Sequence, residues 1–206
     1  MLSRREMLQL GAGSAAAGAL GAGLYLQRAS FLRSAQAGDV AHVRPPGALA
    51  ESDFITKCIR CNQCADVCEN DCIQFVSGGG ADGTPVIRPR EKPCILCMNC
   101  TKACPTGALT PIDDGSESIS KSVRMGTAVV DENICNSYNK RVCGACVWAC
   151  PFRGQALRAG MWERPIVDTE KCVGCGLCEN ACIIYPQAIR VVPTSSPNQS
   201  EKTRPK

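Results

Sequence analysis

The chain has 206 residues, 17 of them cysteine, and only four Phe, two Trp and three Tyr. So few aromatics make a thin apolar core, so cross-links of another kind must replace part of it. The formal charge of +4 lies mostly at the N-terminus: without residues 1–37 the count is 19 basic and 18 acidic, or +1, which gives no reason to expect a nucleic-acid partner.

Residues 1–37 read as an export signal. Ser3-Arg4-Arg5-Glu6-Met7-Leu8 resembles a twin-arginine motif, with Met7 where phenylalanine is usual. An uncharged Gly/Ala-rich stretch, Met7 to Leu26, follows, and Ala35-Gln36-Ala37 offers a small-x-small cleavage site. The competing reading is a retained membrane helix, since 20 uncharged residues can span a bilayer. Glycine and alanine make that a weak anchor. Export of folded cargo suits a thiol-rich chain, because an unfolded one would form disulfides in an oxidising periplasm. Residues 38–53, with Arg44-Pro45-Pro46-Gly47, are expected to be a linker.

A first module is expected over 54–112. It holds one cysteine run at Cys58, Cys61, Cys64 and Cys68, and another at Cys94, Cys97, Cys100 and Cys104. Ser77 to Gly83 reads as a flexible turn and Val86-Ile87-Arg88 as a short strand. The polar stretch 113–124 is expected to separate the halves. A second module is expected over 125–193, with a run at Cys135, Cys143, Cys146 and Cys150 and another at Cys172, Cys175, Cys178 and Cys182. Residues 194–206 are polar and expected to be a disordered tail.

The repeat goes beyond cysteine. Val129-Val130-Asp131 and Ile166-Val167-Asp168 stand before the last two runs, each Asp four residues ahead of its cysteine. Ala108-Leu109, Ala156-Leu157 and Ala188-Ile189 follow fourth cysteines. In the first run Cys72-Ile73 takes that place, so the seventeenth cysteine reads as an alanine-sized packing residue rather than a ligand. The third run alone is stretched: Asn136 to Val142 intervene, a loop that shapes a docking surface, shields the site it borders, or is merely solvated.

The spacing C-x2-C-x2-C-x3-C is the ligand pattern of bacterial-type ferredoxins, and four copies suffice for four [4Fe–4S] clusters on sixteen cysteines. Two-residue gaps let a tight loop reach three corners of one cube. The fourth cysteine lies about a helical turn further on and ligates a partner run's cluster. Proline after Cys104 and Cys150 ends that turn. Zinc prefers isolated C-x2-C pairs. A disulfide scaffold leaves an odd thiol and does not explain triplets. His42 is the only histidine, too few for a Rieske centre, and no C-x-x-C-H attaches haem. With every cluster fully ligated, electron transfer is favoured over bond-making chemistry and no catalytic residue is expected. Clusters of about −2 each, ligands included, would bring the exported protein to about −7. The expected fold is α+β, tandem two-cluster ferredoxin-like modules of small strands and short helices. Whether runs pair one with two and three with four, or one with four and two with three, stays open.

These features together resemble the ferredoxin-type proteins associated with periplasmic nitrate reductase and with methylamine utilisation, the NapG/MauM family. The carriers of the resemblance are the twin-arginine start, the four runs, the gap from Cys135 to Cys143, Ala103-Cys104-Pro105-Thr106-Gly107-Ala108-Leu109, and the run from Cys172 to Cys182. Glu69 and Ile183 depart from the proline many ferredoxins place after the fourth cysteine. The resemblance implies a periplasmic electron relay. It would work between a membrane-bound iron–sulfur quinol-oxidising partner and a periplasmic acceptor such as a nitrate reductase, touching the membrane through that partner or an uncleaved signal. A fixed iron–sulfur subunit of a molybdenum enzyme, or a maturation factor for another metalloenzyme, are the alternatives.

Overall fold

Each cysteine run folds as a loop ending in a single helical turn, and short antiparallel strands join the runs. The computed structural model describes residues 41–194, and the expected signal over 1–37 and the tail beyond Thr194 lie outside them. In chain order the elements are α1 Glu51–Lys57, α2 Gln63–Asp66, β1 Ile73–Phe75, β2 Pro85–Ile87, α3 Asn99–Ala103 and α4 Ser116–Ser122. Then come β3 Gly126–Val130, α5 Ala145–Ala149, β4 Leu157–Ala159, a 3-10 turn at Met161–Glu163, β5 Pro165–Val167, α6 Leu177–Asn180 and β6 Ile189–Pro193. Helices of four or five residues cannot hold themselves in water, so what they pack against must fix them. Among the described residues no helix is long and apolar enough to cross a membrane.

Two topologically equivalent halves emerge. In the second, β3 pairs antiparallel with β6, from Gly126 opposite Pro193 to Val130 opposite Ile189, and brackets both runs. Between them the hairpin β4–β5 joins run three to run four, with Leu157 opposite Val167. In the first, the β1–β2 hairpin does the same work, Ile73 opposite Ile87. Its tip is the expected glycine-rich turn, where the Gly78 N–H donates to Asp82 Oδ1 at 2.5 Å. The bracketing pair shrinks there to one bridge, Ala48 opposite Leu109. The architecture is α+β, two like halves of short helices and small strands in tandem.

That bridge corrects one expectation. Residues 43–53 are not a linker but the first edge of the first half. Val43 C=O accepts from Ile87 N–H at 2.8 Å, and Gly47 C=O from Thr110 N–H at 2.7 Å. Leu49 N–H donates to Ala108 C=O at 3.2 Å. Pro45 and Pro46 are fully buried, and Gly47 turns at φ +74°, where a Cβ would run into the Thr110 carbonyl. Arg44 is buried too: it pairs with both oxygens of Glu51, donates to Thr84 Oγ1 at 2.9 Å and Pro85 O at 2.7 Å, and lies 4.9 Å from the Phe54 ring centre. Proline and glycine suggested flexibility; here they fit a tight, buried edge. The polar stretch 113–124 likewise contains α4, which buries Ile119 and is followed by the fully buried Val123.

Two apolar clusters hold the halves. The larger gathers Phe54, Ile87, Met98, Leu109 and Val123 with Cys94 and Cys100, and also takes in Val173 and Cys175 of the fourth run. The smaller holds Ala128, Val147, Leu157, Cys178 and Ile189. Thiols thus form part of both cores, where a protein richer in aromatics would place rings.

Candidate metal centres

The loops curl because chosen residues take the left-handed conformation. Between first and second cysteines stand Arg60 at φ 59°, Leu96 at 64° and Gly174 at 74°, and in the stretched run Lys140 at 62°. Between second and third stand Asn62 at 64°, Met98 at 59°, Gly144 at 66° and Gly176 at 82°. Each of the latter four is the residue from which the helical turn starts. Alternating right- and left-handed residues turn successive N–H groups inward, the concave backbone that many iron–sulfur sites use.

Four nests of cysteine result. Cys58, Cys61 and Cys64 line one pocket with Cys104 from the second run. Cys94, Cys97 and Cys100 line another with Cys68 from the first. Cys172, Cys175 and Cys178 line a third with Cys150. The remaining group is Cys135, Cys143, Cys146 and Cys182: the Cys146 thiol is pushed up to about 12 by burial and then by the fields of Cys135, Cys182 and Cys143. The fourth cysteines therefore cross within each half, and the pairing left open by the sequence is one with two and three with four.

The chemistry of these donor sets fits a cube of iron and sulfide. Among the described residues no group of three or more His, Cys, Asp or Glu is drawn tightly enough to hold a single metal ion. The sulfurs are spread around a larger volume instead. Desolvation, followed by neighbouring thiols, pushes Cys64 up to about 11 and Cys100 to about 12. Burial pushes Cys175 up to about 12 and Cys178 well above its ordinary value. Such thiols become thiolates only against strong positive charge, which ligated iron supplies. At Cys104 some desolvation is outweighed by the Leu109 N–H, the Thr106 hydroxyl and nearby amides, and the thiol is lowered. Amides already aim at sulfur: Leu96 at Cys94 (3.4 Å), Leu109 at Cys104 (3.5 Å), Ala128 at Cys172 (3.5 Å) and Ala188 at Cys182 (3.4 Å). Such bonds help set cluster potentials.

Cys72 adds a fifth sulfur to the second nest. Its Sγ is 3.5 Å from Cys68 Sγ, and its N–H points at the same sulfur at 3.4 Å. It is as deeply buried as Ala108, Ala156 and Ala188, the residues at its place in the other runs. The first part of the stretched loop of run three is packed down, while Asn139 to Val142 are exposed. Ser137 is buried, and its carbonyl accepts from Arg164 Nε at 3.4 Å. The Tyr138 hydroxyl donates to Pro165 O at 3.4 Å, and Arg164 lies 5.3 Å from the Tyr138 ring centre. The spacing marked this loop but not its partners: Arg164 and Pro165 lie 27 residues on from Ser137 and Tyr138 respectively.

Comparison with known proteins agrees with this chemistry. The 4Fe-4S dicluster domain matches residues 57–108 and again 93–154, and a 4Fe-4S binding domain matches 163–182. The second dicluster match spans runs two and three, whereas in space run three pairs with run four. Both matches follow cysteine spacing along the chain, which does not encode partners. The methylamine utilization ferredoxin-type protein MauM of Methylobacillus flagellatus is 41% identical over 176 residues, 80% of this chain and 74% of the relative. Its namesake in Methylorubrum extorquens is 38% identical over 93% of this chain and 89% of the relative. The ferredoxin-type protein NapG of Escherichia coli is 36% identical over 93% and 84%.

Proposed function

The chain belongs to the MauM/NapG family of ferredoxin-type iron–sulfur proteins, and from that premise we propose that it is an exported periplasmic relay, not a catalyst. In this reading the sixteen cysteines hold four [4Fe–4S] clusters: Cys58, Cys61, Cys64 and Cys104 the first; Cys94, Cys97, Cys100 and Cys68 the second; Cys135, Cys143, Cys146 and Cys182 the third; Cys172, Cys175, Cys178 and Cys150 the fourth. The clusters supply reversible one-electron chemistry. The protein orients the thiolates, aims amides at sulfur and buries Cys94, Cys100, Cys175 and Cys178 away from water. Four cysteines at every nest leave no ligand position open for substrate, and that observation carries the reading.

Electrons would enter from a membrane-bound iron–sulfur protein that oxidises quinol. They would leave to a periplasmic acceptor, of nitrate reductase type or in methylamine utilisation. The name of the MauM relatives supports the methylamine branch, and the nitrate reductase branch rests on the family resemblance. The twin-arginine route fits a protein whose clusters must be loaded before export.

The test is anaerobic preparation of the mature protein. About sixteen irons per chain and cubane signals in electron paramagnetic resonance after dithionite are expected. Zinc instead of iron, or a folded chain without metal, would remove the proposal. Membranes supplied with quinol should then reduce the protein as the quinol is oxidised, and a periplasmic extract with nitrate or methylamine enzymes should reoxidise it. Stable co-purification with a large catalytic chain would favour a fixed subunit. Lost cofactor assembly in another enzyme, with electron flow intact, would favour a maturation factor.

A further inference from the structure

We propose that the two halves are coupled cysteine to cysteine, through the second and fourth nests, so that the nests stand in the order first, second, fourth, third. The inference rests on the cysteine assignment proposed above. Chain order alone would put the second nest beside the third.

The central observation is one backbone bond. The Cys94 N–H, at the start of run two, donates to the Cys175 carbonyl of run four at 2.9 Å. Both residues are buried, in one apolar cluster with Val173, which leaves no layer of water between the two loops. The seam is latched on either side. Met125 N–H donates to Val173 O at 3.0 Å. Arg90 Nη1 donates to the carbonyls of Glu179 (3.1 Å), Asn180 (3.3 Å) and Cys182 (2.8 Å) at and just beyond the end of α6. Asn180 Nδ2 donates back to Arg90 O at 3.0 Å. Two glycines let the backbones approach: a Cβ on Gly174 would strike the Gly126 backbone, and one on Gly176 the Pro89 ring.

The rest of the order follows from the crossings. Cys68 and Cys104 tie the first nest to the second, and Cys150 and Cys182 tie the third to the fourth. Among the described residues, those lining the first nest's pocket all lie between Phe54 and Leu109, in the same half as the second nest. What crosses the seam is a single electron, one centre being oxidised as the other is reduced, with no bond or proton exchanged.

The test uses the iron-loaded full chain, reduced with dithionite and read by electron paramagnetic resonance and iron analysis. Cys61→Ala with Cys143→Ala removes a ligand from each outer nest. About eight irons and a mutually broadened pair of signals are expected. Cys97→Ala with Cys178→Ala removes the inner nests, and two independent narrow signals are expected. Independent signals in the first variant, or broadening in the second, would overturn the order. If the double variants do not fold, Gly176→Ala alone serves: all iron retained with part of the wild-type broadening lost supports the seam, and an unchanged spectrum overturns it. A wild-type chain without cubane iron would instead sink the cluster assignment, and the inference with it.

Discussion

At the scale of single residues, the loops hold strained conformations that cluster binding must offset. Asn62 is an exposed side chain at φ 64°. Asparagine tolerates that region, glycine does so freely, and a β-branched residue does not. Asn62→Val should therefore destabilise the first nest by about 1–2 kcal/mol, while Asn62→Gly leaves it unchanged. The rate at which a chelator strips iron from each variant checks this. Cys72 poses a second residue-scale question, since its sulfur touches a proposed ligand. Its burial matches that of three alanines, which favours a packing role. Cys72→Ala should keep about sixteen irons. It should cost only about 1 kcal/mol, as for a methyl-sized deletion, read from the denaturant midpoint. Loss of about four irons would make it a ligand.

At the scale of elements, the outer pairs decide whether each half closes. β3–β6 is a five-residue ladder, but the first half has only the Ala48–Leu109 bridge. Arg44 makes up for the short pairing by tying α1 and β2 to that edge through Glu51, Thr84 and Pro85. Arg44→Ala would leave the partly buried Glu51 carboxylate unpaired. A loss of about 3 kcal/mol is expected, the low end for breaking a buried ion pair. Denaturant titration of the iron-loaded protein measures it, and a change under 1 kcal/mol would show the edge to be dispensable. This edge is where sequence reasoning went wrong. Arg44-Pro45-Pro46-Gly47 has the composition of a linker, and nothing local reveals that Val43, Gly47 and Leu49 have backbone partners far along the chain. The strands beside the cysteines were legible, because Val129-Val130 and Ile166-Val167 are apolar doublets at a fixed offset from a repeated motif. The Asp after each doublet was legible for the same reason. Asp131 Oδ1 accepts from Asn133 N–H at 3.1 Å and Asp168 Oδ1 from Glu170 N–H at 3.2 Å, the same local turn in both runs. Pairing between runs was not legible, since the spacings of runs one, two and four are identical and any two could exchange a fourth ligand.

At the scale of the whole molecule, the crossing of fourth cysteines makes each nest the joint property of two runs. A ligand removed from run one and one removed from run two can therefore empty the same nest. Cys61→Ala and Cys104→Ala should each lower the iron content from about sixteen to about twelve per chain. Combined, they should still leave about twelve, because both act on the first nest, and such strong non-additivity marks residues of one unit. Cys61→Ala combined with Cys100→Ala acts on two nests and should leave about eight. Iron analysis of the four anaerobically prepared variants separates the cases. If Cys61→Ala/Cys104→Ala also fell to about eight, each run would hold its own cluster and the crossing would be wrong. The same arithmetic extends to the second half, where Cys143→Ala with Cys182→Ala should cost one cluster and Cys143→Ala with Cys150→Ala two. Agreement in both halves would mean that no nest can be loaded by one run alone, so that each inserted cluster ties the two runs of its half together.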